Sequence, residues 1–270
     1  MKRSLLTCAL FLLAVSVARS GVVIEMEVKE SGTGGSAPVN TIYAEDQMLR
    51  MDSREPESGS MSVVFRDQAL WMMDHDKKEC RTIDKAGMEQ IGSQIGGMLQ
   101  QMEAELAKLP PDQRAMMEKM LKENLPAGMP GPGAPRKLEI GGAETIGQYK
   151  CTLHTLYSGD EKVWDVCAAA EGLPAGAAEA MAAFEGMSEF AEPLREVFRK
   201  GPFAGMIETP FNSMKEIDGM PVRVRGYKEG QVVSESTLKS ITSRDLDDAM
   251  FSVPEGYEVT NLTDEMKQGR

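Results

Sequence analysis

The chain is poor in the residues on which most enzymatic chemistry rests. It holds 2 histidines, 4 cysteines, 2 tryptophans and 5 tyrosines in 270 residues. His75 and His154 are too few to build a zinc centre, and neither sits in an HExxH or other base motif. No GxSxG nucleophile turn occurs. Beyond the first twenty residues no run approaches the ~20 apolar residues that a bilayer-spanning helix needs. Positive charge is also short: 30 Lys and Arg stand against 42 Asp and Glu, a net charge of −12. Such a chain repels phosphate backbones, which excludes nucleic acid as an expected partner. No catalytic residue, metal ligand set or cofactor is expected.

What is present begins with a leader. Lys2 and Arg3 form a charged start, and Ser4 to Val17 is an almost unbroken apolar run. Ala18-Arg19-Ser20 places small residues at −3 and −1, so cleavage between Ser20 and Gly21 is expected. Cys8 lies before the apolar run is complete and is no lipid-attachment cysteine. Residues 1–20 therefore read as a signal peptide without a lipobox, and the periplasm is the expected location.

Methionine is the excess, at 21 residues. Three readings compete: plain core filling, an adaptable apolar surface made of flexible thioethers, and Cu(I) binding by soft sulfur. Among the cysteines left after leader removal, Cys151 and Cys167 fall on two arms flanking Ser158-Gly159-Asp160-Glu161, a hairpin signal. A turn near Gly159-Asp160 sets Cys151 across from residue 167 or 168, within reach of a disulfide. The alternatives are two separate small apolar residues, or pairing of either with Cys80.

Hydropathy periods organise the rest. Val22 to Glu30 alternates as a half-buried strand, and Thr41 to Met51 reads as a second. Met61–Arg66, Ala69–Asp74 and Lys77–Ile83 follow with short turns, which implies an antiparallel meander. Met88, Ile91, Ile95, Met98, Met102 and Leu106 then recur at helical spacing, and Pro110-Pro111 restarts a second helix. Gly92, Gly96 and Gly97 weaken the first by roughly 1 kcal/mol each relative to Ala. A Gly/Pro linker follows over 125–136, then strands around Leu138–Ile140, Tyr149–Tyr157 and Lys162–Ala168. Gly172–Lys200 reads as helical, Met220–Lys228 and Val232–Ile241 as a hairpin, and 261–270 as a flexible polar tail. Asp74-His75-Asp76 with Glu79 lacks metal-ligand spacing and reads as a solvated turn.

Particular segments carry a resemblance. Gln47-Met-Leu-Arg50-Met-Asp, Val64-Phe-Arg-Asp-Gln-Ala-Leu-Trp71 and Lys77-Lys-Glu-Cys-Arg-Thr-Ile83 are similar to bacterial periplasmic proteins with a DUF4412 domain. Leu109-Pro-Pro-Asp-Gln-Arg, Gly147-Gln-Tyr-Lys-Cys151, Val163-Trp164, Asp218-Gly-Met-Pro221 and Phe251-Ser-Val-Pro-Glu-Gly-Tyr257 continue it. The Arg50 and Trp71 segments also resemble LolA/LolB-type lipoprotein carriers. This resemblance implies an α+β fold with a curved antiparallel sheet, a half-barrel, covered by Met-rich helices. It implies one domain over 21–260 with a helical insertion at 85–124. The expected function is non-enzymatic binding of a hydrophobic small molecule or lipid-like moiety, in a groove lined by Ile24, Met26, Met48, Trp71 and Met73. The alternatives are docking on an envelope protein partner through the Met-rich helices, and Cu(I) handling.

Overall fold

The computed structural model describes residues 21–30, 39–55, 59–123, 135–198 and 216–267. The expected leader and its junction after Ser20 lie outside them, as does the Gly/Pro linker except residues 135–136.

Alternating side chains and tight turns make most of the chain a single antiparallel meander with a break in the middle. β1 (Gly21–Glu30), β2 (Val39–Glu45), β3 (Met48–Glu55), β4 (Gly59–Arg66), β5 (Ala69–Asp74) and β6 (Glu79–Asp84) run outward in order. β7 (Arg136–Ile146), β8 (Tyr149–Ser158), β9 (Glu161–Ala169), β10 (Met220–Lys228) and β11 (Gln231–Arg244) form a second series. β11 pairs antiparallel with β1, from Gly21↔Arg244 to Glu30↔Ser234, and so fuses the two series. β12 (Glu258–Asn261) adds in parallel to β6. The result is a large, curved, twelve-stranded sheet that stays open, with β7 and β12 at its edges.

The expected strand Thr41–Met51 is in fact two. The chain reverses at Asp46-Gln47, where Asp46 takes φ 53°. Asp tolerates this left-handed region, and two-residue hairpin turns of this kind match strand twist. Asp67-Gln68 and Glu229-Gly230 also reverse the chain, there with positive φ at both residues.

The two faces of β1–β6 separate by parity. Val22, Ile24, Ala44, Leu49, Phe65 and Ile83 point to one side, buried against helices. α1 (Lys85–Lys108) starts where the Asp84 carboxylate accepts from the Gly87 amide at 2.8 Å. It packs against α4 (Glu192–Val197), and Gly92 permits this, since a Cβ there would stand 2.8 Å from the Pro193 carbonyl oxygen. A glycine that weakens an isolated helix here allows two helices to touch. α2 (Pro111–Glu123) follows α1 after Pro110. α3 (Ala177–Phe190) lies over β1, β2 and β3 through Ala180, Ala183 and Phe184. The expected single helical region 172–200 breaks between α3 and α4, because Pro193 sits in the first turn of α4.

The other face of β1–β6 is also apolar. Val64, Met73 and Cys80 are closed off by the segment Leu246–Tyr257, which presents Phe251 at 1% exposure. The expected flexible tail differs as well: Asn261 belongs to β12, and α5 (Leu262–Lys267) packs on α1 and β6. Asn261 Oδ1 accepts from the Thr263 amide and hydroxyl, which starts that helix.

Cys151 and Cys167 are bonded, with Cα atoms 5.4 Å apart, and Cys80 is free and buried. The register opposes Cys167 to Leu153 and Ala168 to Thr152, so the bridge joins diagonal rather than facing neighbours. A regular hairpin closed by Ser158↔Glu161 would set Cys151 against Ala168, and the shift at Leu156/Tyr157 moves the ladder one residue further from Cys167. Closing a loop of this length stabilises by about 3 kcal/mol in the chain-entropy picture. Reduction, or Cys151→Ala with Cys167→Ala, is therefore expected to lower unfolding free energy by about 3 kcal/mol, read by denaturant titration. An unchanged midpoint on reduction would contradict the bond.

Candidate functional site

A cleft of about 470 Å³ opens between the sheet and α3. Its floor is built by period-two alternation: Ile24, Met26 and Val28 from β1, Ile42 from β2, Met51 from β3 and Val63 from β4. Met181 and Phe184 of α3 form its roof. Trp164, Met220 and Val224 close the side toward β9 and β10. Asn40, Ser53, Ser234 and Ser236 supply polar groups along the lining, while strand alternation turns the Glu235 side chain to the opposite face.

Trp164 owes its place to a glycine. It pairs across the ladder with Gly226, and a Cβ there would meet the indole ring at 3.1 Å and the Ser234 hydroxyl at 2.6 Å. The bare backbone leaves room for the ring. The indole Nε1 is buried and has no hydrogen-bond acceptor among the described residues. Glu235 is held by Arg225, whose Nε lies 2.5 Å from its carboxylate.

Of the groove residues expected from sequence, Ile24 and Met26 line this cleft. Met48, Trp71 and Met73 do not join them. They pack on the opposite face, in the cluster around Phe251 and Met250. The reason is strand phase: in β5, Leu70 points with Ile83 to the helix side, so Trp71 and Met73 point away. Size and apolarity suggested Trp71, whereas its odd position in β5 decided its side. Met51, Met181, Phe184, Met220 and Trp164 were missed. The alternation of β3 and the helical spacing of Met181 and Phe184 were their available signals.

On that opposite face a polar chain fastens the Leu246–Tyr257 segment. Arg50 donates to the Met250 carbonyl oxygen at 2.7 Å, to Asp52 at 2.7 Å and to the Ser62 hydroxyl at 3.0 Å. Ser62 Oγ donates to Asp52 at 2.6 Å and lies 2.5 Å from His75 Nε2. His75 Nδ1 lies 2.6 Å from the Tyr257 hydroxyl. A serine proton directed to Asp52 would leave Nε2 as the donor to Ser62 and Nδ1 as the acceptor from Tyr257. Ser62 is 1% exposed, and its bonds with Asp52, Arg50 and His75 tie this chain together beneath the segment. Asp74 meanwhile accepts from the Asp76 and Lys77 amides and from Lys77 Nζ, which makes it a turn cap. Among the described residues no group of three or more His, Cys, Asp or Glu is placed to hold a metal ion.

Two further buried groups shape the electrostatics. Burial pushes the Asp165 carboxyl up, but bonds from Lys162, Tyr227 and Thr155 outweigh this and hold it below the usual carboxylate range. His154 is buried at 5% exposure with an Nδ1 that has no partner among the described residues, and desolvation lowers its pKa despite the nearby Asp218. The folded protein thus keeps His154 neutral where an unfolded chain, with a value near 6.5, takes up a proton. Stability is fully present above that value and falls as pH drops through it. Urea unfolding at pH 7.5 and 5.5 should show a smaller acid-side loss in His154→Gln than in the native chain. Equal losses would contradict a buried neutral imidazole.

Residues 65–257 match the family model described as "Domain of unknown function (DUF4412)". Among solved structures, an uncharacterized conserved protein from Thermus thermophilus aligns at 9% identity and TM-score 0.46, over 90% of this chain and 91% of that one. A chain of the MucA/MucB complex of Pseudomonas aeruginosa gives 8% identity and TM-score 0.38, over 87% of this chain but 56% of that one. A LolA superfamily protein from Nitrosomonas europaea gives 10% identity and TM-score 0.32, over 87% and 90%. No curated protein sequence matches the chain. No helix among the described residues is long and apolar enough to cross a membrane.

Proposed function

The chain belongs to the DUF4412 family, and we propose that it is a non-enzymatic binding protein of the bacterial envelope that holds a hydrophobic, lipid-like ligand in the cleft beneath α3. The single observation that carries this reading is the apolar lining of a cleft of about 470 Å³. That volume falls in the ~300–1,000 Å³ range of small-molecule sites. Apolar cargo would bind by burial, at about 25 cal/mol per Å² of surface removed from water. Met26, Met51, Met181 and Met220 come from four different elements. Their unbranched thioethers re-pack easily, which suits a ligand of variable shape. A leader at residues 1–20 would deliver such a protein to the periplasm, where an apolar molecule needs a cover to exist in water.

A second reading rests on a different surface. Met98 and Met102 of α1 and Met116 and Met117 of α2 are exposed, with Met116 at 67%. Exposed thioethers of this kind suit docking on a protein partner. A stoichiometric partner recovered with lipid-free protein would favour that reading over carriage.

The test of carriage uses the two tryptophans, which lie on opposite faces of the sheet. Brominated acyl chains should quench Trp164 in a Trp71→Phe protein and leave Trp71 unquenched in a Trp164→Phe protein. Val28→Trp, which fills the cleft, should weaken binding at least about tenfold, the equivalent of about 1.4 kcal/mol. Absence of any apolar molecule in solvent extracts of periplasm-purified protein, together with no quenching, would defeat the reading.

A further inference from the structure

A second cavity, of about 720 Å³, lies between the N-terminal half of α3 and the strand ends at Ala169 of β9 and Met220 of β10. It adjoins the cleft. Met181 and Met220 line both spaces, so these two side chains stand where one meets the other. Both pack in the apolar layer beneath the helices, and Met220 is 3% exposed. A partition of unbranched thioethers re-packs around a ligand, where β-branched side chains would hold their shape.

The two spaces differ in kind. The cleft is walled mainly by apolar side chains. The second cavity opens more widely to solvent, and Glu185, Glu216 and Asp218 at its lining are exposed. Its α3 wall includes Ala178 and Ala182, whose short side chains leave the volume free. An apolar chain gains free energy by entering the cleft. A charged or strongly hydrated group loses on burial without partners, and is better placed at the wet end. A dry chamber joined to a wet one has the polarity of a molecule with one tail and one head.

We infer that the occupant is a single-chain amphiphile, with its tail in the cleft, its neck between Met181 and Met220 and its polar head in the second cavity. This rests on the reading of the cleft as a ligand site. Ala178 and Ala182 then limit the size of the head, and neither residue lines the cleft.

Equilibrium dialysis of the full chain against decylphosphocholine and against 1-decanol, each below its aggregation or solubility limit, separates head from tail. Both probes are expected to bind the native chain. Ala178→Trp, at an exposed helix position, is expected to weaken decylphosphocholine at least about tenfold and to leave 1-decanol within about twofold. Ala182→Trp, also exposed, should do the same from the next turn of α3. Variants are compared at native circular dichroism. Decylphosphocholine affinity unchanged in both variants, equal losses of the two probes, or binding of 1-decanol alone to the native chain overturns the placement of the head and leaves the cleft as a ligand site. Binding of neither probe to the native chain removes the reading of the cleft itself, and the head placement with it.

Discussion

Everything in this molecule depends on the pairing of β1 with β11. It joins residues 21–30 to residues 231–244 and turns two outward-running meanders into one sheet. Without it, β1–β6 and β7–β11 would each present an unpaired edge at the middle of the protein, and such edges carry exposed backbone donors and acceptors. The floor of the cleft draws on β1 to β4 and its side wall on β9 and β10, so the cleft exists only because these strands share one continuous surface. Ladder pairing over such sequence distances is entropically demanding, and the Cys151–Cys167 bond stiffens the second series.

A sheet of this width has two apolar faces on its β1–β6 side, and each needs a cover. α1, α3 and α4 close one of them. Leu246–Tyr257 closes the other, held by Phe251 in the apolar layer and by the Arg50–Asp52–Ser62–His75–Tyr257 chain beside it. Each buried polar member of that chain has its partners, which is why it can sit under an apolar segment without a large desolvation penalty. The helix side is covered less completely. α3 covers β1–β3 through Ala180, Ala183 and Phe184, and the cleft opens between Met181 and Phe184, the floor strands, and Trp164, Met220 and Val224.

Much of the local structure is legible in the chain as written. Alternation marks β1, β4, β5 and β8, and the 3.6-residue recurrence from Met88 onward marks α1. Where reading failed, a local signal was ambiguous. Asp46-Gln47 looks like two more residues of a strand, because Asp enters the left-handed region without the glycine that usually announces a turn. Residues 261–267 look like a polar tail, because α5 is held by contacts with α1 and β6 rather than by its own propensity. The candidate site was half legible. Ile24 and Met26 were found, while Trp71 and Met73 were placed on the wrong side of a strand whose existence was read correctly.

By itself the sequence determined the alternating strands, the long first helix, an acidic and methionine-rich character and the absence of familiar catalytic motifs. These follow from local periodicity and composition, which neighbouring residues are enough to set. Only the tertiary structure decided which face of each strand is the inside, that Gly92 and Gly226 make room rather than weakness, and that the cleft is walled by Trp164 instead of Trp71. Those outcomes turn on register across strands as far apart as β1 and β11, and a one-residue change in register moves every side chain to the other face.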